Sequence, residues 1–201
     1  MKVNIIYIVL NLFFFIFFAS CKGQKEIIDK NNKEILNLIL KEYDSVLLIK
    51  ETYYNDKSLK PANVLNPYYR VYNYKIMDKP LAKKNDNIAY SVFLKDVDGV
   101  VSKKELDEIK NKYQFWSIKE WESSNIENNK IKIISIDNIK SYQNHIPIIR
   151  LSEPLYSKDK KKAIIYEYYV KNKVGANGIR VIIKKNGNWK IKGGIPNGTV
   201  N

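Results

Sequence analysis

Thiol, imidazole and guanidinium groups are nearly missing from this 201-residue chain, which has one cysteine, one histidine and arginine only at positions 70, 150 and 180. A single cysteine, Cys21, closes no disulfide within the chain, so no covalent framework holds the fold. The single histidine, His145, stands two residues before Pro147. A metal site would need carboxylates alone or this imidazole with carboxylates, and no spaced cluster of them occurs. Gly-x-Ser-x-Gly is absent, and serine-type catalysis would have to run through His145 alone. His145 therefore reads as structural or solvent-exposed. The sequence predicts no catalytic residue, no metal site and no cofactor. Internal repeats are absent too, as are low-complexity tracts beyond the leading segment.

Acidic charge is also scarce. Lysine and arginine number 35 against 21 aspartates and glutamates, a net charge of +14. Nucleic-acid binding does not follow, because the excess is almost all lysine, spread along the chain among abundant Asn, Ile and Tyr. The physical expectation that survives is attraction to an anionic membrane surface, weakened by salt.

What is present begins with Lys2 and an apolar run from Ile5 to Phe18, broken by Asn11. The run is too short for the roughly 20 residues of a membrane-spanning helix and right for the core of a signal peptide. A small-residue step, Ala19-Ser20, leads to Cys21. Phe18-Ala19-Ser20-Cys21 resembles the lipobox of bacterial lipoproteins, with Phe18 where that family prefers Leu. The resemblance implies diacylglycerol on the Cys21 thiol, removal of residues 1–20 and a lipidated tether over 21–24. An ordinary secretory peptide or an uncleaved anchor is the alternative, and it leaves the lone cysteine at this position unexplained. Two or more acyl chains give lasting attachment where one does not. Lys22-Gly23-Gln24-Lys25-Glu26 lacks an acidic run resembling a surface-export signal, so the expected location is the periplasmic side of the outer membrane.

Residues 25–201 are expected to form a single α+β domain, large enough for a real core. Apolar residues at helical spacing (Ile28, Ile35, Leu36, Ile39, Leu40, Tyr43) predict an amphipathic helix over 25–43. Strands are predicted over 46–54, 88–94, 130–136, 146–156, 163–171, 178–185 and 189–192. Ser102 and Glu105 form a capping box opening a helix to about Tyr113. Residues 55–86, with Pro61, Pro67 and Pro80, read mostly as loop. The C-terminal third predicts a curved antiparallel meander, with helices on one sheet face. Its last hairpin is expected to turn through three residues, Asn186 to Asn188, so that Ile179, Val181 and Ile183 share a face with Trp189 and Ile191. The element order is similar to a cystatin-like or NTF2-like cone. Leu151 to Lys161, Tyr166 to Tyr169, Asn186 to Lys190 and Val101 to Asp107 resemble a group of small envelope lipoproteins of Bacteroidota. That resemblance implies an envelope location and no activity.

Several constellations tempt a chemical reading. Asp96, Asp98, Gly99, Val101 and Glu105 match an EF-hand loop, but its first ligand position is Leu94, a loss for an ion that wants about six to eight oxygens. A polar turn before a capped helix is the expectation. Glu167 shares a strand face with Ala163, Ile165 and Tyr169. If that face lines a concave sheet, Glu167, Arg180 and Tyr169 form a polar pocket floor that orients a ligand or supplies a base. The simpler expectation is a cross-strand ion pair worth under about 1 kcal/mol. Trp116, Trp121 and tyrosines 68, 69, 72 and 74 read as core and rim packing, with a sugar- or peptide-binding surface as the alternative.

The function expected is that of a membrane-anchored envelope lipoprotein with a non-enzymatic domain binding an unknown protein or small ligand. The alternatives are a periplasmic inhibitor or immunity protein and a small pocket enzyme. The expected partners are the membrane, through Cys21, and that ligand, with no nucleic acid.

Overall fold

Four consecutive apolar residues, Val46, Leu47, Leu48 and Ile49, are all buried. A strand manages this only where both faces of its sheet are covered. A computed structural model describes residues 26–57, 59–76, 96–142, 146–172 and 174–200. Cys21 with its leader and tether, His145 and the strand expected over 88–94 lie outside the described residues.

The chain divides into two compact units, Met1–Glu34 and Ile35–Asn201. In the first, residues 26–34 are helical, and Lys30 lies 3.9 Å from Glu34 one turn later. Such a pair contributes about 0.2–0.5 kcal/mol. The helix, α1, covers residues 26–40 in all.

The second unit holds β1 (Val46–Ile49), β2 (Ile131–Ile134), β3 (Ile148–Leu151), β4 (Leu155–Tyr156), β5 (Lys162–Lys171), β6 (Val174–Lys185) and β7 (Asn188–Val200). They form one sheet in the order β2-β1-β3-β5-β6-β7, with β4 also on β5. The chain is α+β, and its C-terminal strands are the antiparallel meander the sequence predicts. The sheet as a whole is mixed, because β1 runs parallel to both β2 and β3.

Helices cover both faces of the sheet, not the one expected. Ile35, Leu36, Ile39 and Leu40 of α1 pack with Val46, Leu48, Ile149, Ala163, Ile165 and Ile182. On the other face Ile164, Tyr166, Ile179, Val181 and Ile195 pack with residues of α2 (Pro61–Val64), α3 (Asn66–Ile76) and α4 (Lys103–Lys112). Successive residues of β5 thus enter opposite cores, which is why its sequence shows little alternation. No helix among the described residues is long and apolar enough to cross a membrane.

Two expectations need correction. The loop read into 55–86 contains α2 and α3. Two of its prolines are not breakers but starters: Pro61 and Pro67 sit in first turns, where the missing N–H costs nothing, while Pro80 lies outside the described residues. Val64, Leu65, Tyr68 and Val71, all buried, supply the helical stripe. The last hairpin turns through two residues, with Lys185 paired to Asn188 and Trp189 to Lys184. Asn186 and Gly187 have φ of 52° and 80°, the double positive φ of a type I′ turn. Trp189 therefore joins Ile182 in one core while Ile179 and Val181 belong to the other. A longer loop follows only if one face of the hairpin is apolar, and here both faces are. A bulge leaves Lys192 unpaired between Ile191, opposite Ile182, and Gly193, opposite Val181. That extra residue moves Ile195 to the face of Ile179.

Candidate functional site

Glu167 sits in β5 opposite Gly178, two residue pairs along the ladder from Ile165 and Arg180 and so on the same face. Its carboxylate is buried, 9% exposed, and bound from three directions. Arg180 Nε donates to Oε2 at 2.5 Å and Arg180 Nη2 to Oε1 at 3.3 Å. The Tyr43 hydroxyl donates to Oε1 at 2.5 Å. Arg180 Nη2 also lies 3.2 Å from Glu42. Tyr169 stacks on Tyr43 with ring centroids 5.8 Å apart. The sequence thus placed Glu167, Arg180 and Tyr169 in one neighbourhood, and missed Glu42 and Tyr43. Nothing local marks those two. They reach the sheet because α1 ends just before β1, and sequence spacing carries no record of that approach.

The electrostatics agree with a closed network. Burial, then the charge and hydrogen bond of Glu167, push the Tyr43 hydroxyl well above the ordinary tyrosine range, against the opposing pull of Arg180. Burial alone would weaken the Arg180 cation. The Glu167 hydrogen bond and charge, with Glu42, outweigh it and hold the guanidinium still more firmly protonated than usual. A carboxylate already accepting from a bidentate guanidinium and a phenol has little left to offer a substrate. The network fixes where α1 ends on the sheet.

A second buried carboxylate does similar structural service. Glu153, in the break between β3 and β4, is 3% exposed. Its Oε2 accepts from Ser117 N at 2.6 Å, Ser117 Oγ at 2.8 Å and Ile118 N at 2.5 Å. The segment so held is pinned again where Thr52 N donates to Lys119 O and Trp121 N to Lys50 O. Trp116 and Trp121 are buried, their ring nitrogens donating to Leu59 O and Leu151 O. They anchor this segment as core packing. Tyr68 is buried as well, its hydroxyl donating to Val97 O at 2.5 Å and accepting from Val101 N at 3.0 Å. Tyr72 donates to Val101 O. Two carbonyls of the EF-hand-like stretch, those of Val97 and Val101, are therefore engaged by tyrosines of α3. Its Gly99 turn, at φ 69°, leads into the predicted Ser102–Glu105 capping box. No group of three potential metal ligands occurs among the described residues.

The surface carries open clefts. One of about 400 Å³ lies between α4 and β4, lined by Glu108, Ile109, Lys112, Tyr156 and Lys158. A second, of about 340 Å³, is bounded by Tyr54, Leu59, Pro61, Phe115 and Trp116 with Lys57 and Lys60. Phe115 is the most exposed large apolar side chain described, at 79%. The sequence gives no sign of this, since Phe115 and the buried Trp116 stand side by side in a segment without periodicity. Glu167, Arg180 and Tyr169 line neither cleft. Searches of protein-family models, curated proteins and solved structures find no match to this chain, so the reading of its site rests on geometry.

Proposed function

We propose that the protein is an envelope lipoprotein, anchored by lipid on Cys21 to the outer membrane and facing the periplasm, whose folded unit binds a protein or small ligand without catalysis. The observation that carries the non-enzymatic part is the saturation of Glu167. The polar group best placed to be a base is consumed by Arg180 and Tyr43, while the described clefts are open and do not include it. Open surfaces of this kind suit contact with a partner better than enclosure of a reacting molecule. The anchor rests on the leader and on the position of the single cysteine.

Mass spectrometry of the mature N-terminal peptide tests the anchor, with diacylglycerol on Cys21 as the expected result. Cross-linked co-purification from native envelopes tests the binding. One stoichiometric partner, lost when Cys21→Ala mislocalises the protein, is the expected result. A lipid-anchored protein with turnover of any envelope substrate, abolished by Glu167→Gln without loss of fold, would overturn the reading.

A further inference from the structure

We infer that the face around Phe115 and Tyr54 docks on the anionic surface of the membrane and so orients the tethered domain. The inference rests on the lipid-anchored reading above and adds to it a second, reversible contact.

Phe115 and Tyr54 are 79% and 40% exposed, and both border the 340 Å³ cleft with Leu59 and Pro61. The apolar tip is held by the fold. Gln114 Nε2 caps α4 by donating to Lys110 O and Asn111 O at 3.1 and 3.0 Å. On the other side, Trp116 Nε1 ties the segment to Leu59 O at 2.6 Å. Phe115 stands exposed between these two hydrogen-bonded residues.

The charge around the tip is mostly positive. Lys57 and Lys60 line the cleft and are exposed. Lys119 Nζ lies 5.1 Å over the Tyr54 ring. Lys110 and Lys112 end the helix that leads into Phe115. The lining carboxylate, Asp56, is turned back to accept from Leu59 N at 3.3 Å. An aromatic tip ringed by lysines is what an interfacial contact with anionic lipid requires, the ring entering the acyl boundary and the ammonium groups meeting phosphates. An acidic protein segment would satisfy the charge. The membrane is favoured because the anchor holds it at high effective concentration, so a weak contact suffices.

The test uses the full chain carrying Asn55→Cys, labelled with a polarity-sensitive fluorophore and reconstituted into vesicles of equal parts phosphatidylcholine and phosphatidylglycerol. The lipid on Cys21 blocks its thiol, and the mass of the N-terminal peptide reports the anchor separately. The expected result is a blue-shifted emission quenched by brominated acyl chains, absent on phosphatidylcholine alone and lost in high salt. Phe115→Ser, or Lys57→Glu with Lys60→Glu, should lower the docked fraction about tenfold with unchanged thermal unfolding. Should Cys21 prove unmodified, the chain bearing Cys21→Ala with Asn55→Cys is added to preformed vesicles, and the same quenching is read. Equal emission on anionic and neutral vesicles would overturn the proposal. Protection of the label only in native envelopes would overturn it too, by giving the face to a protein.

Discussion

Glu167 illustrates how one residue is given its role by its neighbours. Its three hydrogen bonds make the buried pair with Arg180 sensitive to loss of either partner. Arg180→Leu is expected to cost about 2–3 kcal/mol in urea unfolding, below the roughly 3–5 kcal/mol of a fully buried pair because the Arg180 side chain is 28% exposed. In a cycle with Tyr43→Phe, Glu167→Gln should show coupling of at least about 0.5 kcal/mol. Strict additivity would mean that the three groups do not act as a unit. Tyr43, Tyr53 and Tyr68 are all raised well above the ordinary tyrosine range, burial being the largest cause for each. A phenol raised in the fold and ordinary when unfolded lends stability that is whole below about pH 10 and is lost as pH climbs toward the folded value. Absorbance titration should therefore show some of the 15 tyrosines ionising only together with unfolding. Independent ionisation of all of them in a folded protein would contradict this.

Turns and caps set the register of each element. Gly187 holds φ of 80° in a two-residue turn, so Gly187→Ala should cost about 1–2 kcal/mol. Ser102→Ala removes one half of the α4 capping box, at about 1 kcal/mol. Gly178→Ala should cost more than an ordinary surface change. Its Cβ would stand 2.6 Å from Ile195 O, a backbone atom that moves only if β7 does. Thermal unfolding of the three variants checks the order. Much at this scale was legible. The capping box, the β5–β6–β7 meander and the helix through Ile35 and Leu40 follow from patterns written locally. What was not legible has one cause. Where both faces of a sheet are covered, Val181 and Ile182 look alike in sequence yet enter different cores. Alternation then cannot give hairpin register, nor tell how many faces carry helices. The proline-bounded helices were hidden differently, by reading Pro61 and Pro67 as ends when they are beginnings.

Across the whole second unit, the ion pair of Glu105 with Lys162, at 2.6 Å, joins α4 to β5. Burial opposes the Glu105 charge, but Lys162 and the Ser102 hydrogen bonds outweigh it and hold its carboxyl below the usual range. The sign follows from linkage. A carboxylate depressed in the fold contributes stability that is whole above its ordinary value, near pH 4.3, and is lost as pH falls through the folded one. Unfolding free energy should therefore fall with acid in this window. Lys162→Met should flatten that dependence, and an unchanged slope would assign it to other groups. The candidate site was legible only in part at this scale. Glu167 and Arg180 could be paired from strand spacing, whereas Phe115 is exposed because of where Gln114 and Trp116 are fixed, 57 residues from Leu59 in the latter case.

Among the described residues β7 borders the sheet on one side, and this border has a bearing on how copies of the chain meet. An unpaired strand edge is a template for another strand. Along β7 the template is spoiled: Pro196 has no N–H to offer, Lys192 and Asn197 interrupt the ladder spacing, and Lys190 and Lys192 put exposed charge beside it. Proteins crowded on one membrane and sharing this border would gain little by stacking strand on strand, and the longest strand among the described residues is thereby kept from seeding a fibre.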